Sequence, residues 1–240
     1  MNILPNIRHH LRHPAFALVV TLLVGVAVAV NATSFGALHA VRWKALPYAD
    51  GDRLVELKAD FTKAGFHFGL ADRFRDALRE DHAVFDGALG FPPQTPTRYL
   101  GDDDAPWQVA RVTTDFAQVL GVAPALGRPF HDGDTDVVLL SDAVWRARFG
   151  GDANIVGRTL RFGGATRTII GVMPRGFAFP DTRADAWMPL VWSAAEREAN
   201  KGSLVGELMV VARLADGVTS AQARDRLGVL LANDANLATH

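Results

Sequence analysis

The chain has 240 residues, with 25 Lys and Arg against 26 Asp and Glu, a formal net charge of −1 and no cysteine. The first 41 residues hold two arginines and no acid, so the remainder carries all 26 acids against 23 Lys and Arg, a net charge of −3. That balance excludes a nucleic-acid surface, which needs clustered positive charge, and the missing cysteines exclude a disulfide framework and a cysteine nucleophile.

Residues 15–41 contain no Asp, Glu, Lys or Arg over 27 positions. As a helix this run spans about 40 Å, enough to cross a hydrocarbon core of about 30 Å. The sequence therefore predicts an N-terminal tail over 1–14, a transmembrane helix over 15–41 and a large domain over 42–240. Orientation is not decided by charge: Arg8 and Arg12 precede the run, Arg42 and Lys44 follow it. Trp43 and Tyr48 suit an interfacial anchor on either side. Gly25, Ala29 and Thr33, continued by Ala37, recur every fourth residue and form a ridge of small side chains for helix packing. The plainer reading is that Ala and Gly are frequent in any spanning helix. Asn31 favours packing, because a polar side chain among helices finds a partner. The alternative for the whole segment is a cleaved secretory signal, with Ala15–Val30 as its apolar region and Val30-Asn31-Ala32 as the cleavage site. Against it, the apolar region is long and the uncharged stretch continues past that site.

Along the domain, Leu54–Lys58 alternates as a strand, and Gly69–Arg79 predicts a helix with Leu70, Phe74, Ala77 and Leu78 on one face. Gly87–Phe91, Thr97–Leu100 and Trp107–Val112 are strand candidates. Thr114 is placed to cap a short helix through Leu120, stopped by Gly121. Pro124 and Pro129 keep the next stretch irregular. Val137–Leu140 is a compact apolar strand, and Ser141 caps a helix through Phe149 that ends at Gly150-Gly151. Thr159–Phe162 and Thr166–Val172 form a hairpin around Gly163-Gly164-Ala165. Ala186–Leu190 and Leu208–Leu214 are further strands. Thr219 and Gln222 make a capping box for a final helix with Ala223, Leu227, Leu230 and Leu231 on one face. Mixed strands and helices in this order predict an α+β domain rather than a doubly wound sheet.

No phosphate-binding GxxxxGK[ST] loop, HExxH or GxSxG motif occurs. Asp102-Asp103-Asp104 reads as a solvated turn. Asp132, Asp134 and Asp136 imitate the start of a calcium loop, but Val137 occupies the position that needs Gly and Ala143 the position that needs Glu. Asp181 and Asp185 flank a turn and are assigned no role. His9, His10 and His13 read as a basic membrane flank rather than metal ligands. Trp107, Trp145, Trp187 and Trp192 read as core or interface anchors.

The central stretch carries ordered motifs. They are Val112-Thr113-Thr114-Asp115-Phe116-Ala117-Gln118-Val119-Leu120-Gly121-Val122, Pro124-Ala125-Leu126-Gly127-Arg128-Pro129-Phe130 and Val137–Asp142. Then come Trp145-Arg146-Ala147-Arg148-Phe149-Gly150-Gly151-Asp152, Ile155-Val156-Gly157-Arg158-Thr159-Leu160, Ile170-Gly171-Val172-Met173-Pro174 and Gly176-Phe177-Ala178-Phe179-Pro180. Val211-Ala212-Arg213-Leu214 and Gly217-Val218-Thr219 close the series, and Leu46-Pro47-Tyr48 with Asp52-Arg53-Leu54 opens it. Together they resemble the MacB-like periplasmic core domain of FtsX-type ABC transporter permeases, over nearly the whole chain.

The resemblance implies a two-lobed α+β domain outside the cell inner membrane, set between the first and second membrane helices of a permease, with the N-terminus cytoplasmic. It implies a separate cytoplasmic ATP-binding subunit, further permease subunits and membrane lipid as partners. An envelope protein and a second copy, giving a homodimer, are further candidates. Such permeases return to the membrane after the final helix, whereas this sequence closes at Leu237-Ala238-Thr239-His240 without a second apolar run. The expectation is thus a truncated permease that does not transport alone but transmits ATPase-driven motion to an envelope substrate or partner. A stand-alone anchored binding module, or a secreted domain if the N-terminal segment is cleaved, is the second reading. An enzyme is the third, disfavoured because no acid, base, nucleophile or metal set converges. No catalytic, cofactor-binding or metal residue is assigned, and Gly121, Gly150 and Gly157 are read as turn and helix-end residues.

Overall fold

The computed structural model describes residues 48, 50–57, 59–61, 66–70, 72–101, 104–181, 183–192, 205, 206 and 208–233, all within the unit Pro47–His240. The run 15–41, with Gly25, Ala29 and Thr33, lies outside these residues, as do His9, His10, His13, Asp102 and Asp103. Among the described residues no helix is long and apolar enough to cross a membrane.

The first lobe is a three-stranded antiparallel sheet. Its edge strands are β1 (Leu54–Leu57) and β4 (Phe85–Phe91), and its centre is β13 (Met209–Leu214), drawn from the far end of the chain. Side chains of β13 alternate: Val210, Ala212 and Leu214 face one side, Val211 the other. The first face is covered by helices α1 (Asp72–Glu80) and α4 (Ser220–Asn233). Phe74 and Leu78, one turn apart on α1, enter this core with Phe85, Ala88 and Leu208. Ala223 of α4 is buried there, and Leu227 and Leu230 pack half-buried against it. The capping box forms: the Thr219 backbone N–H donates to Gln222 Oε1 at 2.9 Å and the Gln222 N–H to Thr219 Oγ1 at 3.3 Å.

The helix expected over Gly69–Arg79 starts later. Phe66–Leu70 is strand β3, paired with β2 (Ala59–Phe61) and with β12 (Val205–Gly206). Leu70 therefore belongs to a sheet and not to the helix face. Gly69 is a poor helix former, whereas Asp72 suits the positive end of a helix dipole.

The second lobe is a mixed sheet in the order β5-β6-β11-β8-β10-β7, with β9 also on β10. Its strands are β5 (Thr97–Leu100), β6 (Pro106–Val112), β7 (Leu126–Gly127), β8 (Val137–Leu140), β9 (Thr159–Phe162), β10 (Ala165–Val172) and β11 (Ala186–Pro189). The pairs β6/β11 and β8/β10 are parallel. Strands covered on both faces read as unbroken apolar runs, and β8 and β11 do: Val138, Leu139, Leu140 and Ala186 through Met188 are all buried. A bridge from Gly101 to Phe162 brings the β5 and β9 ends of the sheet together. Inside that curl Trp107 stacks on Phe162 at 5.8 Å, with Arg148 over the indole at 4.4 Å and Arg167 over the phenyl ring at 4.8 Å.

Helix α2 (Phe116–Val119) follows β6, and α3 (Asp142–Phe149) follows β8. Ser141 caps α3 by accepting from the Val144 N–H at 3.2 Å, and Gly150 ends it in the left-handed conformation, as the sequence predicts. Gly121 and Gly157 also have positive φ. Thr114 does not cap α2. Asp115 precedes that helix without a side-chain cap, and the Thr114 hydroxyl donates instead to Asp132 Oδ1 at 2.6 Å.

Candidate functional site

Several of the quoted motifs meet at the seam between the lobes, while Trp145, Phe149, Ile155 and Leu160 of two others pack in a separate core of the larger sheet. One half of the seam is apolar. Leu89 and Phe91 of β4, Val211 of β13 and Leu54 of β1 pack on Ala110, Val112, Leu139, Ile170 and Trp187 of the larger sheet. The Gly176–Pro180 motif supplies its aromatic filling. Phe179 meets Phe91 edge-on at 5.1 Å, and Phe177 meets Trp187 at 5.1 Å. Trp187 is fully buried and donates its Nε1–H to the Phe179 carbonyl at 2.6 Å, so its polar atom is satisfied. Tyr48 donates to the Ala178 carbonyl at 2.7 Å. The tryptophan reading thus holds for Trp107 and Trp187, which are buried, and for half-buried Trp145, which donates to the Asp152 carbonyl at 2.9 Å.

The other half is an ionic clasp between α1 and the Thr113–Asp115 turn. Thr113 ties the turn to β4: its N–H donates to the Gly90 carbonyl at 3.0 Å and its hydroxyl oxygen accepts from the Gly90 N–H at 2.9 Å. The same hydroxyl donates to Asp115 Oδ1 at 2.6 Å. Asp115 Oδ2 then takes Arg75 Nη1 at 3.3 Å and Arg79 Nε at 3.2 Å. Arg75, 7% exposed, also reaches Asp72 Oδ1 at 3.0 Å and Asp76 Oδ1 at 2.6 Å. Arg79 reaches on to Asp132 Oδ2 at 3.5 Å. Beside the clasp lies an open cavity of about 540 Å³, lined by Asp76, Arg79, Glu80, His82, Asp86, Gly87, Asp115, Gln118 and Val119.

Burial pushes the Asp115 carboxyl above its ordinary range, against the pull of Thr113, Arg75 and Arg79. Burial raises Asp76 as well, again against Arg75. Asp132 goes the other way, lowered first by the Thr114 hydrogen bond. Removing charges from water costs more here than the guanidiniums return, as is common for buried ion pairs. Such a clasp aligns two bodies; nothing in it is arranged to attack a substrate.

Of the acids singled out in the sequence, Asp132 and Asp134 are engaged by the protein's own arginines. Asp134 accepts from Arg128 Nη1 at 2.7 Å and Nη2 at 3.1 Å, and from the His131 N–H at 2.9 Å. Asp136 accepts from Thr135 at 3.2 Å, and Asp104 is exposed with positive φ. Among the described residues no group of acids and histidines could hold a metal ion. Asp185 has a role the sequence did not suggest: its carboxylate accepts from the Gln108 N–H at 2.8 Å and fastens the start of β11 to β6. Arg75 and Arg79 received no role from the sequence, because charges spaced three and four apart on a helix equally suit a solvated face. Arg75 sits beside Phe74 on the buried face, which was the available signal.

Two solved structures share this fold. The periplasmic region of MacB from Actinobacillus actinomycetemcomitans is 18% identical, with a TM-score of 0.52 over 74% of this chain and 81% of that one. A domain of a permease protein, described as putative, from Porphyromonas gingivalis is 19% identical, with a TM-score of 0.58 over 78% and 86%. Among curated proteins none matches in sequence. The model of the MacB-like periplasmic core domain family matches residues 17–230. With that match spanning most of the chain, the chain belongs to the MacB-like periplasmic core domains of ABC transporter permeases.

Proposed function

We propose that this chain is the membrane-anchored extracytoplasmic part of a MacB/FtsX-like permease, and that it transmits the motion of a separate cytoplasmic ATPase to an envelope substrate or partner. The observation that carries the reading is the seam. An apolar core continuous across both lobes, with a clasp of two arginines at its edge, resists relative movement, and a body that transmits displacement must not absorb it. The uncharged run 15–41 supports a membrane anchor, the family supports an N-terminus inside, and the ridge of Gly25, Ala29 and Thr33 supports packing against another span.

A reporter fused after His240 tests the topology. Activity only outside the cytoplasm, with resistance to carbonate extraction, is expected. A soluble product beginning near Thr33 would instead establish a cleaved signal and the secreted alternative. Copurification of a cytoplasmic ATP-binding subunit separates the permease component from a stand-alone binding module.

A further inference from the structure

The described residues open with Tyr48 and Asp50, just after the uncharged run 15–41. They are fastened to both lobes. Tyr48 holds the larger lobe: its hydroxyl donates to the Ala178 carbonyl at 2.7 Å, and its ring lies 6.3 Å from that of Phe177. Asp50 turns the chain in the left-handed conformation, φ 48°, and its carbonyl accepts from the Arg53 N–H at 3.0 Å and from Arg213 Nη1 at 3.4 Å. Arg53 holds the first lobe, donating from Nε to the Leu214 carbonyl at 2.8 Å and pairing with Asp86. Arg213 spans the two. It stands on β13, 8% exposed, on the face that Val211 turns to the seam, and donates its Nε–H to the Val119 carbonyl at 2.6 Å. That carbonyl lies in the last turn of α2, where the helix itself supplies no donor. Gly87, opposite Arg213 on β4, leaves room for the contact: a Cβ there would lie 3.0 Å from Val119 Cγ2.

We propose that this junction is where the anchor takes hold of the domain, and that Arg213 is the positioning residue that makes a pull on Asp50 act on both lobes at once. Without it the pull falls on β1, a four-residue edge strand that pairs with β13. Loaded from its end, such a strand yields one bond at a time, because the outermost pair carries the force before the next is strained. Arg213 sets a second path beside it, from the Asp50 carbonyl through a planar guanidinium to the Val119 carbonyl. Tyr48 sets a third, to Ala178. Paths in parallel share the load, so both lobes move with the entering chain. A lysine would not serve, since its ammonium on a flexible stem has no fixed fork to hold two carbonyls. The pull rests on the proposed anchor; the stiffness of the junction does not.

The chain has no cysteine, so introduced pairs carry spin labels uniquely. Asp50→Cys with Val156→Cys measures the junction against the larger lobe, and Val229→Cys with Val156→Cys measures one lobe against the other; all three positions are exposed. Double electron–electron resonance on the full chain in detergent is expected to give narrow distance distributions for both pairs. Tyr48→Phe and Arg213→Lys should each at least double the width of the first and leave the second unchanged. A role confined to packing the seam would widen both or neither, and either result overturns the proposal. Should Arg213→Lys fail to fold, Tyr48→Phe, which removes one hydroxyl and keeps the ring, carries the test of the junction. NMR of the wild-type Arg213 Nε–H then tests the arginine, and exchange as fast as that of an exposed guanidinium would overturn its role. Cleavage near Thr33 would refute the anchor and with it the pull, whereas a wide first distribution in the otherwise wild-type chain would refute the junction with the anchor intact.

Discussion

Gly127→Ala tests whether the Pro124–Phe130 motif serves the fold through its backbone. Gly127 has φ +80° and pairs with Gly171 where β7 crosses the end of β10. A Cβ added there would lie 2.0 Å from the Ile170 carbonyl oxygen and 2.7 Å from the Gly171 Cα. The left-handed conformation alone costs a residue with a Cβ about 1–3 kcal/mol. The close atoms are backbone, so no rotamer change relieves them and β7 must part from β10. That breaks the bonds from the Ala125 N–H to the Val172 carbonyl, 2.8 Å, and from the Arg128 N–H to the Ile170 carbonyl, 3.0 Å. Each is worth about 1 kcal/mol. The total is about 3–5 kcal/mol, which at about 2–4 °C per kcal/mol for a domain of this size is a fall in Tm of about 10 °C. Two controls separate the terms. Gly217 has φ +76° with nothing within 4 Å of its added Cβ, so Gly217→Ala should cost about 1 kcal/mol from conformation alone. At Gly171 an added Cβ would lie 2.5 Å from the Leu126 carbonyl oxygen without a positive φ, so Gly171→Ala reports the contact alone. Thermal melts followed by circular dichroism on the full chain measure all three. A fall for Gly127→Ala no larger than for Gly217→Ala would refute the reasoning.

Leu227→Asp should lower the Tm by several degrees, because it places a charge against the first-lobe core without a partner; an unmoved melt with loss of a copurifying protein would make that face of α4 a docking surface. Asp134→Asn should cost about 1 kcal/mol at pH 7, by weakening the bonds from Arg128 and His131. Arg128 holds the Asp134 carboxyl below its ordinary range, so this contribution is complete above that range and is lost as pH falls through the lowered value. The wild-type and Asp134→Asn melts should therefore converge in acid, and a difference that persists at low pH would contradict the assignment. Replacing Gly25 and Ala29 with Leu should weaken span association in a membrane two-hybrid assay, since bulky groups separate backbones; unchanged association would remove the packing role proposed for Gly25, Ala29 and Thr33. The purified chain should neither bind nor hydrolyse ATP by equilibrium dialysis and phosphate release, and either activity would overturn the division of labour with a separate ATPase.

Local signals were legible wherever the cause is local. Ser141 and Gly150 bound α3 because a hydroxyl reaches back to an N–H three residues on and a glycine accepts positive φ. The capping box at Thr219 and the two-glycine hairpin at Gly163-Gly164 were readable for the same reason. The motif order carried the family, since several short patterns in sequence are far more specific than one. What the sequence could not determine are the partners supplied from far along the chain. Phe66–Leu70 is a strand because β2 and β12 flank it. Thr114 leaves its helix end because Asp132 stands nearer, and Asp185 matters because β6 offers an N–H. The centre of the first sheet is a strand more than a hundred residues from both its neighbours, β1 and β4. Arg75 and Asp115, forty positions apart, become a buried pair only when the lobes meet. Hydrogen-bond and charge satisfaction in the interior is a property of the closed seam, and no periodicity within a single element can encode it.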